Sequence, residues 1–256
     1  MLGLGLARLP SRDAYILATK VGRYGADDFD FSGARVKASV VDSMRRLGVD
    51  RVDVVHCHDV EFGDLGQVVT EALPALSDLK HQGVIRAIGV TGYPLPTLQR
   101  VLDAAPPGAV DVVLSYCHGC LADHALAPRA AAWTAAGLGV INASPLSMGL
   151  LTARGPPDWH PAPAALKAAC REAAAAAAAA GHDISALALR DALAMPGVAS
   201  HLVGCGSVGV VEANVAAAEA ALRPPTEGEA AALAEVRRVL APVEGTTWPS
   251  GRPENQ

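Results

Sequence analysis

Two imidazoles and a carboxylate close one apolar run of this chain, Asp53-Val54-Val55-His56-Cys57-His58-Asp59. Groups that can accept, donate or orient protons therefore sit where a strand-like stretch meets its loop. In a parallel barrel that end is where side chains from several strands converge. A second apolar run, Ala14-Tyr15-Ile16-Leu17-Ala18-Thr19-Lys20, ends in a lysine, whose ammonium must snorkel to water or find a partner. Lys20 and His58 at successive strand tips make a candidate proton-transfer site. Period two puts His56 on the same face as His58 and one step inward, where it reads as a structural residue beneath the site. His56, His58, Asp59, Cys117, His118, Cys120 and His124 are also of metal-ligand type, and Cys117-His118-Gly119-Cys120 has C-x-x-C spacing. A structural zinc site usually takes two such pairs, and the sequence has one. No metal is expected, and the two thiols read as reduced cysteines at a strand end and its loop.

These residues need elements to position them. Apolar runs of strand length at residues 14 to 20, 52 to 58, 85 to 90, 110 to 116, 138 to 143 and 200 to 204 alternate with segments of helical period. Ser32 opens a helix in which Val36, Val40, Met44 and Leu47 recur three or four apart, and Gly48 closes it. Leu73, Leu76 and Leu79 form the stripe of another, stopping at Gln82-Gly83. Residues 164 to 181, with eight consecutive alanines, predict a surface or flanking helix, and residues 184 to 196 and 208 to 240 also read as helical. The tail from Thr246 is loop-like and is expected to fold over the mouth of the barrel. Repeated βα units call for a parallel sheet. A helix after every strand and no glycine-rich first turn favour the (β/α)8 barrel over the doubly wound sheet, as one domain over residues 1 to 256.

Composition narrows the function. At 256 residues, 51% hydrophobic and 18% charged, the chain can bury a sizeable core. A net charge of -5 without a basic run, with 4% aromatics, gives no nucleic-acid footprint. No apolar stretch reaches membrane-spanning length and no signal-peptide core opens the chain. The expected protein is soluble, cytoplasmic and directed at small molecules, with five unpaired cysteines; its oligomeric state is left open.

The set Ala18-Thr19-Lys20, Val52 to His58, Gly89-Val90-Thr91-Gly92, Ser144 to Thr152 and Gly204 to Asn214 resembles the aldo-keto reductase family. The phrases His56 to Gly63, Leu114 to His118, Gly155 to Pro161 and Thr247 to Gly251 are similar to its plant-type branch that oxidises L-galactose, an activity of ascorbate biosynthesis. The resemblance runs from about Ser11 to Gly251. It implies an eight-stranded barrel with an extended nicotinamide cofactor, and a tyrosine, a lysine, an aspartate and a histidine in catalysis. Lys20 matches the lysine, which lowers the tyrosine pKa by its charge, and His58 the histidine. The tyrosine and aspartate lie upstream of the lysine strand in the family. Only thirteen residues precede Ala14, so both are unmatched and the barrel is expected to lack its first two strands. Tyr24 and Tyr116 are positional candidates to replace the tyrosine. Their alternative readings, a turn residue for Tyr24 and packing near the cofactor for Tyr116, are the stronger ones.

The resemblance also implies the cofactor contacts. Gly204, Gly206 and Ser207 bring backbone N–H groups to the pyrophosphate at a helix start, and Glu212 and Asn214 reach adenine or ribose. Ser144, Leu146 and Met148 line the pyrophosphate side, and Thr91 serves the carboxamide. Gly92 offers that group no side chain, and Ala143 stands where an aromatic often stacks on nicotinamide. The loop carries no Lys or Arg to pair with a 2′-phosphate, which favours NAD. Trp159, His160 and Trp248 are candidates to stack on a sugar ring, or simply pack their loops. The function implied is NAD-dependent oxidation of L-galactose or a similar aldose at C1 to the lactone; the alternative is a catalytically inactive barrel fragment serving as a binding or regulatory subunit.

Overall fold

The computed structural model describes residues 2–256. Its contacts fall into two compact units, one comprising the chain up to Leu114 with Ser250–Gln256, the other Ser115–Pro249.

In the first unit a short helix α1 (Leu2–Leu6) precedes β1 (Ala18–Val21), and α2 (Gly33–Leu47) leads to β2 (Val52–His58). Then come α3 (Leu65–Gln67), a π turn over Val68–Ala72, α4 (Leu73–His81), β3 (Ile85–Gly92), α5 (Leu95–Ala104) and the start of β4 (Val112–Tyr116). These strands follow one another in sheet order. β2 pairs parallel with both β1 and β3, as right-handed βαβ connections require. Every residue of β2 is buried or half-buried, which is why Val52, Val54, Val55 and Cys57 fall on both faces and do not alternate strictly with polar residues. Val36 and Val40 of α2, Leu73, Leu76 and Leu79 of α4, and Leu98 and Val101 of α5 complete the core with Phe31.

Two local expectations need correction. The run from residue 14 is not all strand: Arg12–Ala14 form a 3-10 turn whose N-cap Ser11 accepts from the Asp13 N–H, and Ile16 is exposed. The strand begins at Ala18 because the Asp53 carboxylate captures the Leu17 N–H at 2.8 Å and Arg12 at 2.7 Å. Ser32 precedes α2 but its hydroxyl makes no capping bond; Glu71 instead accepts from the Gly33 N–H at 3.2 Å. Gly48 does close α2 with φ 68, its N–H donating to the Met44 carbonyl.

In the second unit the end of β4 is followed by α6 (Leu126–Ala135), β5 (Gly139–Ala143), α7 (Ala164–Ala179), α8 (Ile184–Leu193), β6 (Ser200–Leu202), α9 (Val208–Ala221) and α10 (Glu227–Leu240). β5 and β6 pair parallel. The alanine-rich α7 is not a bare surface helix. Leu166, Cys170, Ala173 and Ala177 form a buried face, and α10 packs on this helix with Ala232, Leu233, Val236 and Leu240 buried; alanine allows that close approach. Residues 208 to 240 form two helices, because Pro224-Pro225 ends the first and Thr226 and Glu229 form a capping box for the second. Six strands stand among the described residues, where the barrel reading places eight in a whole fold. No helix among them is long and apolar enough to cross a membrane, and all five cysteines are free thiols.

Asp53→Ala should destabilise the protein by about 2–4 kcal/mol, since it leaves the buried Leu17 N–H unpaired and takes from Arg12 its carboxylate, leaving only the Tyr15 and Arg51 carbonyls. Burial works against the Asp53 carboxylate, but the Leu17 N–H and Arg12 hold its pKa below the usual value. The advantage of the wild type is therefore full near neutrality and shrinks as the pH falls through the lowered value. Thermal melts of both proteins at pH 7 and pH 3 check the size and the sign.

Candidate active site

β2 sets the first cluster. In the parallel ladders Lys20 of β1 is the register partner of His56, His56 of Gly89, and His58 of Thr91. Register partners face the same side, so Lys20, His56, Gly89, His58 and Thr91 share one face at the carboxyl ends of three strands. Lys20 is exposed and, among the described residues, has no hydrogen-bond or ion-pair partner. His58 keeps 28% of its side chain exposed, with Nε2 3.3 Å from Asp59 Oδ1. Burial lowers its pKa, Asp59 pulls it back up, and the charges of Lys20 and Arg23 add to the lowering. A neutral imidazole that can take or pass a proton results.

Asp59 is buried and fixed from the other side. Arg23 Nη1 donates to its Oδ2 at 2.5 Å, and the guanidinium lies 5.3 and 5.6 Å from the rings of Phe29 and Phe62. His56 is 1% exposed. Burial, then the charges of Lys20 and His58, lower its pKa to about 4. Neither of its ring nitrogens has a hydrogen-bond partner. Its ring occupies the space a side chain at position 89 would need: a Cβ on Gly89 would stand 2.1 Å from Nδ1. Glu61, missed from the sequence, is fully buried in the same unit and bonded to the Tyr93 N–H and the Ser250 hydroxyl. Its one legible signal was an acid set between Val60 and Phe62 in an otherwise apolar turn.

The second unit carries the other predicted residues. Ser144 follows β5 directly in a left-handed conformation and donates its N–H to the Leu202 carbonyl at 3.0 Å. Ser147 and Met148 are left-handed too, and Leu146 precedes them in the same turn. With Asp59 after β2 and Cys117 after β4, every non-glycine residue at positive φ lies at or just beyond the carboxyl end of a strand. Strain held at the ends where loops do chemistry is a mark of a functional edge. Gly204 and Gly206 lie exposed after β6, where an added Cβ would meet nothing within 4 Å. Ser207 caps α9 by accepting from the Val210 N–H, Glu212 is exposed, and Asn214 Nδ2 donates to Cys205 Sγ at 3.3 Å. An open glycine loop at the start of a 14-residue helix fits a pyrophosphate held by backbone N–H groups.

Trp159 is 71% exposed and stacks over His160 with ring centroids 6.2 Å apart, while Trp248 meets His160 edge-on at 5.2 Å. His160 has no free nitrogen for a sugar: Nε2 donates to the Ser147 carbonyl and Nδ1 accepts the Ala162 N–H, both at 3.1 Å. It ties its loop to the left-handed turn, which leaves Trp159 as the open face of the three. Tyr24 is a turn residue, its hydroxyl on the Arg35 carbonyl at 3.5 Å and its ring under the Arg35 guanidinium. Tyr116 ends β4. Around Cys117 and Cys120, as elsewhere among the described residues, no group of three or more His, Cys, Asp or Glu side chains gathers. Burial raises both thiols' pKa values, that of Cys117 to about 12, and Cys120 Sγ donates to the Cys117 carbonyl. Sequence reading also passed over Asn142 in β5, whose buried amide donates to the Gly119 carbonyl at 2.6 Å, and the role of His118, whose Nδ1 lies 2.7 Å from buried Asp123.

Parallel strands alternating with helices, with acid–base groups at their carboxyl ends, define a β/α protein of the barrel-enzyme class. The aldo/keto reductase family matches residues 1–235, and the chain belongs to it. It is 49% identical over 256 residues to the L-galactose dehydrogenase of Arabidopsis thaliana, covering all of this chain and 79% of that protein. It is 36% identical over 204 residues to the D-arabinose 1-dehydrogenase of Saccharomyces cerevisiae, covering 77% of this chain and 59% of that one. Among solved structures, the holo form of the aldo-keto reductase AKR11C1 from Bacillus halodurans superposes with a TM-score of 0.73 at 26% identity, over all of this chain and 80% of its own.

Gly89→Ala should lower the melting temperature, by about 1–3 kcal/mol of overpacking, because the new methyl collides with the His56 ring. His56→Leu, which removes two unpartnered buried nitrogens, should melt at or above the wild-type temperature. Calorimetry of the two variants checks both signs.

Proposed function

We propose that this chain is an NAD-dependent aldose dehydrogenase that oxidises L-galactose, or an aldose very like it, at C1 to the lactone. The observation that carries the reading is the 49% identity to an L-galactose dehydrogenase along the whole chain, with Lys20 and His58 kept at neighbouring strand tips. The D-arabinose 1-dehydrogenase relative supports the same class, an aldose oxidised at its first carbon.

Within that reading Lys20 supplies an exposed positive charge that favours an ionised oxygen beside it. His58, with its pKa lowered, stays neutral near pH 7 and hydrogen-bonds the reacting hydroxyl. Asp59, held by Arg23, orients the His58 ring from its Nε2 side. Trp159 offers an exposed face to a sugar ring. Gly204, Gly206 and the opening turn of α9 hold the cofactor's pyrophosphate by backbone N–H groups, Asn214 and Glu212 meet adenine or ribose, Ser144, Leu146 and Met148 line the turn after β5, and Thr91 the carboxamide. Bound NAD would accept the hydride from C1. No Lys or Arg stands between Gly204 and Leu222, and Glu212 would repel a 2′-phosphate, which supports NAD over NADP.

A second reading, a binding or regulatory subunit without turnover, draws on one observation: Tyr24, the tyrosine nearest Lys20 along the chain after it, has its hydroxyl and ring engaged by Arg35. The test is NADH formation from L-galactose and NAD, by the 256-residue chain and by a version extended upstream. Turnover in either supports the dehydrogenase, and turnover only in the longer version assigns the tyrosine step to the added residues. Silence in both, with NAD still bound, supports the subunit. In the active protein Lys20→Met should lower turnover about 100-fold or more while leaving the KM for NAD nearly unchanged; an unchanged rate would remove Lys20 from the chemistry.

A further inference from the structure

Glu61 is a buried carboxyl that the proposed chemistry does not use. It is 0% exposed, in the turn Val60–Phe62 just beyond the tip of β2. Its Oε1 accepts the Tyr93 N–H at 2.9 Å, immediately after β3, and the Ser250 hydroxyl at 3.1 Å. Its Oε2 is buried without a partner and lies where a side chain at position 92 would go, 2.4 Å from a Cβ placed on Gly92. The glycine at the tip of β3 is thus filled by a carboxyl from the neighbouring turn.

The same residue holds the end of the chain. Its carbonyl accepts the Arg252 N–H and the Asn255 side-chain amide, both at 3.0 Å. Gly251, at φ 86, packs so close that a Cβ there would stand 2.5 Å from that carbonyl oxygen. Asn255 also donates to the Gly63 carbonyl at 2.9 Å and takes Arg100 on its Oδ1 at 2.8 Å, and its carbonyl accepts the Thr97 hydroxyl. Residues 250 to 255 therefore form a strap over the turn, the tip of β3 and α5, with Glu61 at its centre: its backbone carbonyl takes Arg252 and Asn255, and its carboxyl takes Ser250.

We propose that Glu61 is a positioning residue, a clamp that pins the C-terminal strap and the Thr91–Tyr93 tip together as the neutral acid and loosens both when it ionises. Thr91 is the register partner of His58, so the clamp sets the proposed carboxamide contact; that part alone rests on the dehydrogenase reading. The charged groups around it fit the sign. Asp59, on the same turn, repels an ionised Glu61, and its own countercharge is spent on Arg23 and His58. Tyr93 presents its backbone N–H, Arg252 enters through its backbone N–H, and Arg100 is taken up by the Glu254 carbonyl and Asn255. Among the described residues the carboxyl's hydrogen-bond partners are the Tyr93 N–H and the Ser250 hydroxyl, and no cation pairs with it. Burial accordingly raises its pKa to about 7, with Tyr93 and Ser250 opposing and Asp59 reinforcing. An acid raised on folding favours the closed strap at low pH and loses that contribution as the pH rises through about 7.

Hydrogen exchange of the peptide carrying Arg252 and Asn255 in the full chain, corrected for intrinsic rates, tests this. Protection should fall about tenfold between pH 6 and pH 8.5 in the wild type. E61Q, which keeps a neutral side chain of the same shape, should hold its protection flat, and S250A should start lower with the pH slope intact. A flat wild-type profile, or an E61Q slope equal to it, would overturn the clamp. Where turnover is present, the KM for NAD should rise over the same range in the wild type and not in E61Q, with kcat little changed. Absent turnover in both the 256-residue chain and its extended version, with the exchange slope intact, would remove the dehydrogenase reading and leave the clamp standing.

Discussion

The register of β2 between β1 and β3 is the constraint on which the proposed chemistry depends. Lys20 lies beside His56, and His58 beside Thr91, only because the backbone ladders hold those pairs opposite one another. A slip of one residue would send every one of these side chains to the other face. The ladder is fixed at its entry by Asp53, which takes the Leu17 N–H and Arg12, and along its length by a β-branched run buried on both sides. Its exit is where polarity is admitted.

That exit is costly to maintain, and the way it is maintained shapes its electrostatics. Arg23 and His58 meet at one carboxylate, Asp59, and Lys20 acts on both imidazoles, whose pKa values are lowered by burial and by neighbouring positive charge. His56 sits over a glycine that gives it room but no hydrogen bond. Glu61, on the same turn as Asp59, feels the opposite pressure, because burial and the Asp59 charge both favour its acid form. Within one turn of the chain the surroundings of the titratable groups suit bases kept unprotonated and an acid kept protonated, the separation that acid–base sites exploit.

In the proposed reading the second unit meets a different demand, that of bringing backbone close to the cofactor. Left-handed Ser144, Ser147 and Met148 follow β5, and the exposed Gly204 and Gly206 precede α9, none of whose side chains is buried. His160 spends both nitrogens bracing the turn at Ser147. A braced turn after β5 and an open glycine loop before α9 suit the proposed binding by N–H groups more than by side chains.

Much of this was written in local sequence. Mostly apolar runs of strand length marked β2 and β3, period 3.6 marked α2 and α4, and the motif ending at His58 marked the strand tips, because burial on both faces and helical periodicity are properties of short segments. Local sequence misjudged what distant partners decide: β1 starts late because Asp53 captures Leu17, α2 is capped by Glu71 and not by Ser32, and α7 has a buried face because α10 covers its alanines. The pairing of Lys20 with His56, the loss of both His160 nitrogens to backbone, and the meeting of Glu61 with Gly92, Ser250 and Asn255 were not legible at all. Residues 61 and 255 lie 194 positions apart. Hydrophobic pattern fixes which segments are strands and helices, while the partners of a buried polar atom depend on which loops the packed sheet and helices bring against it, and that only the tertiary structure decides.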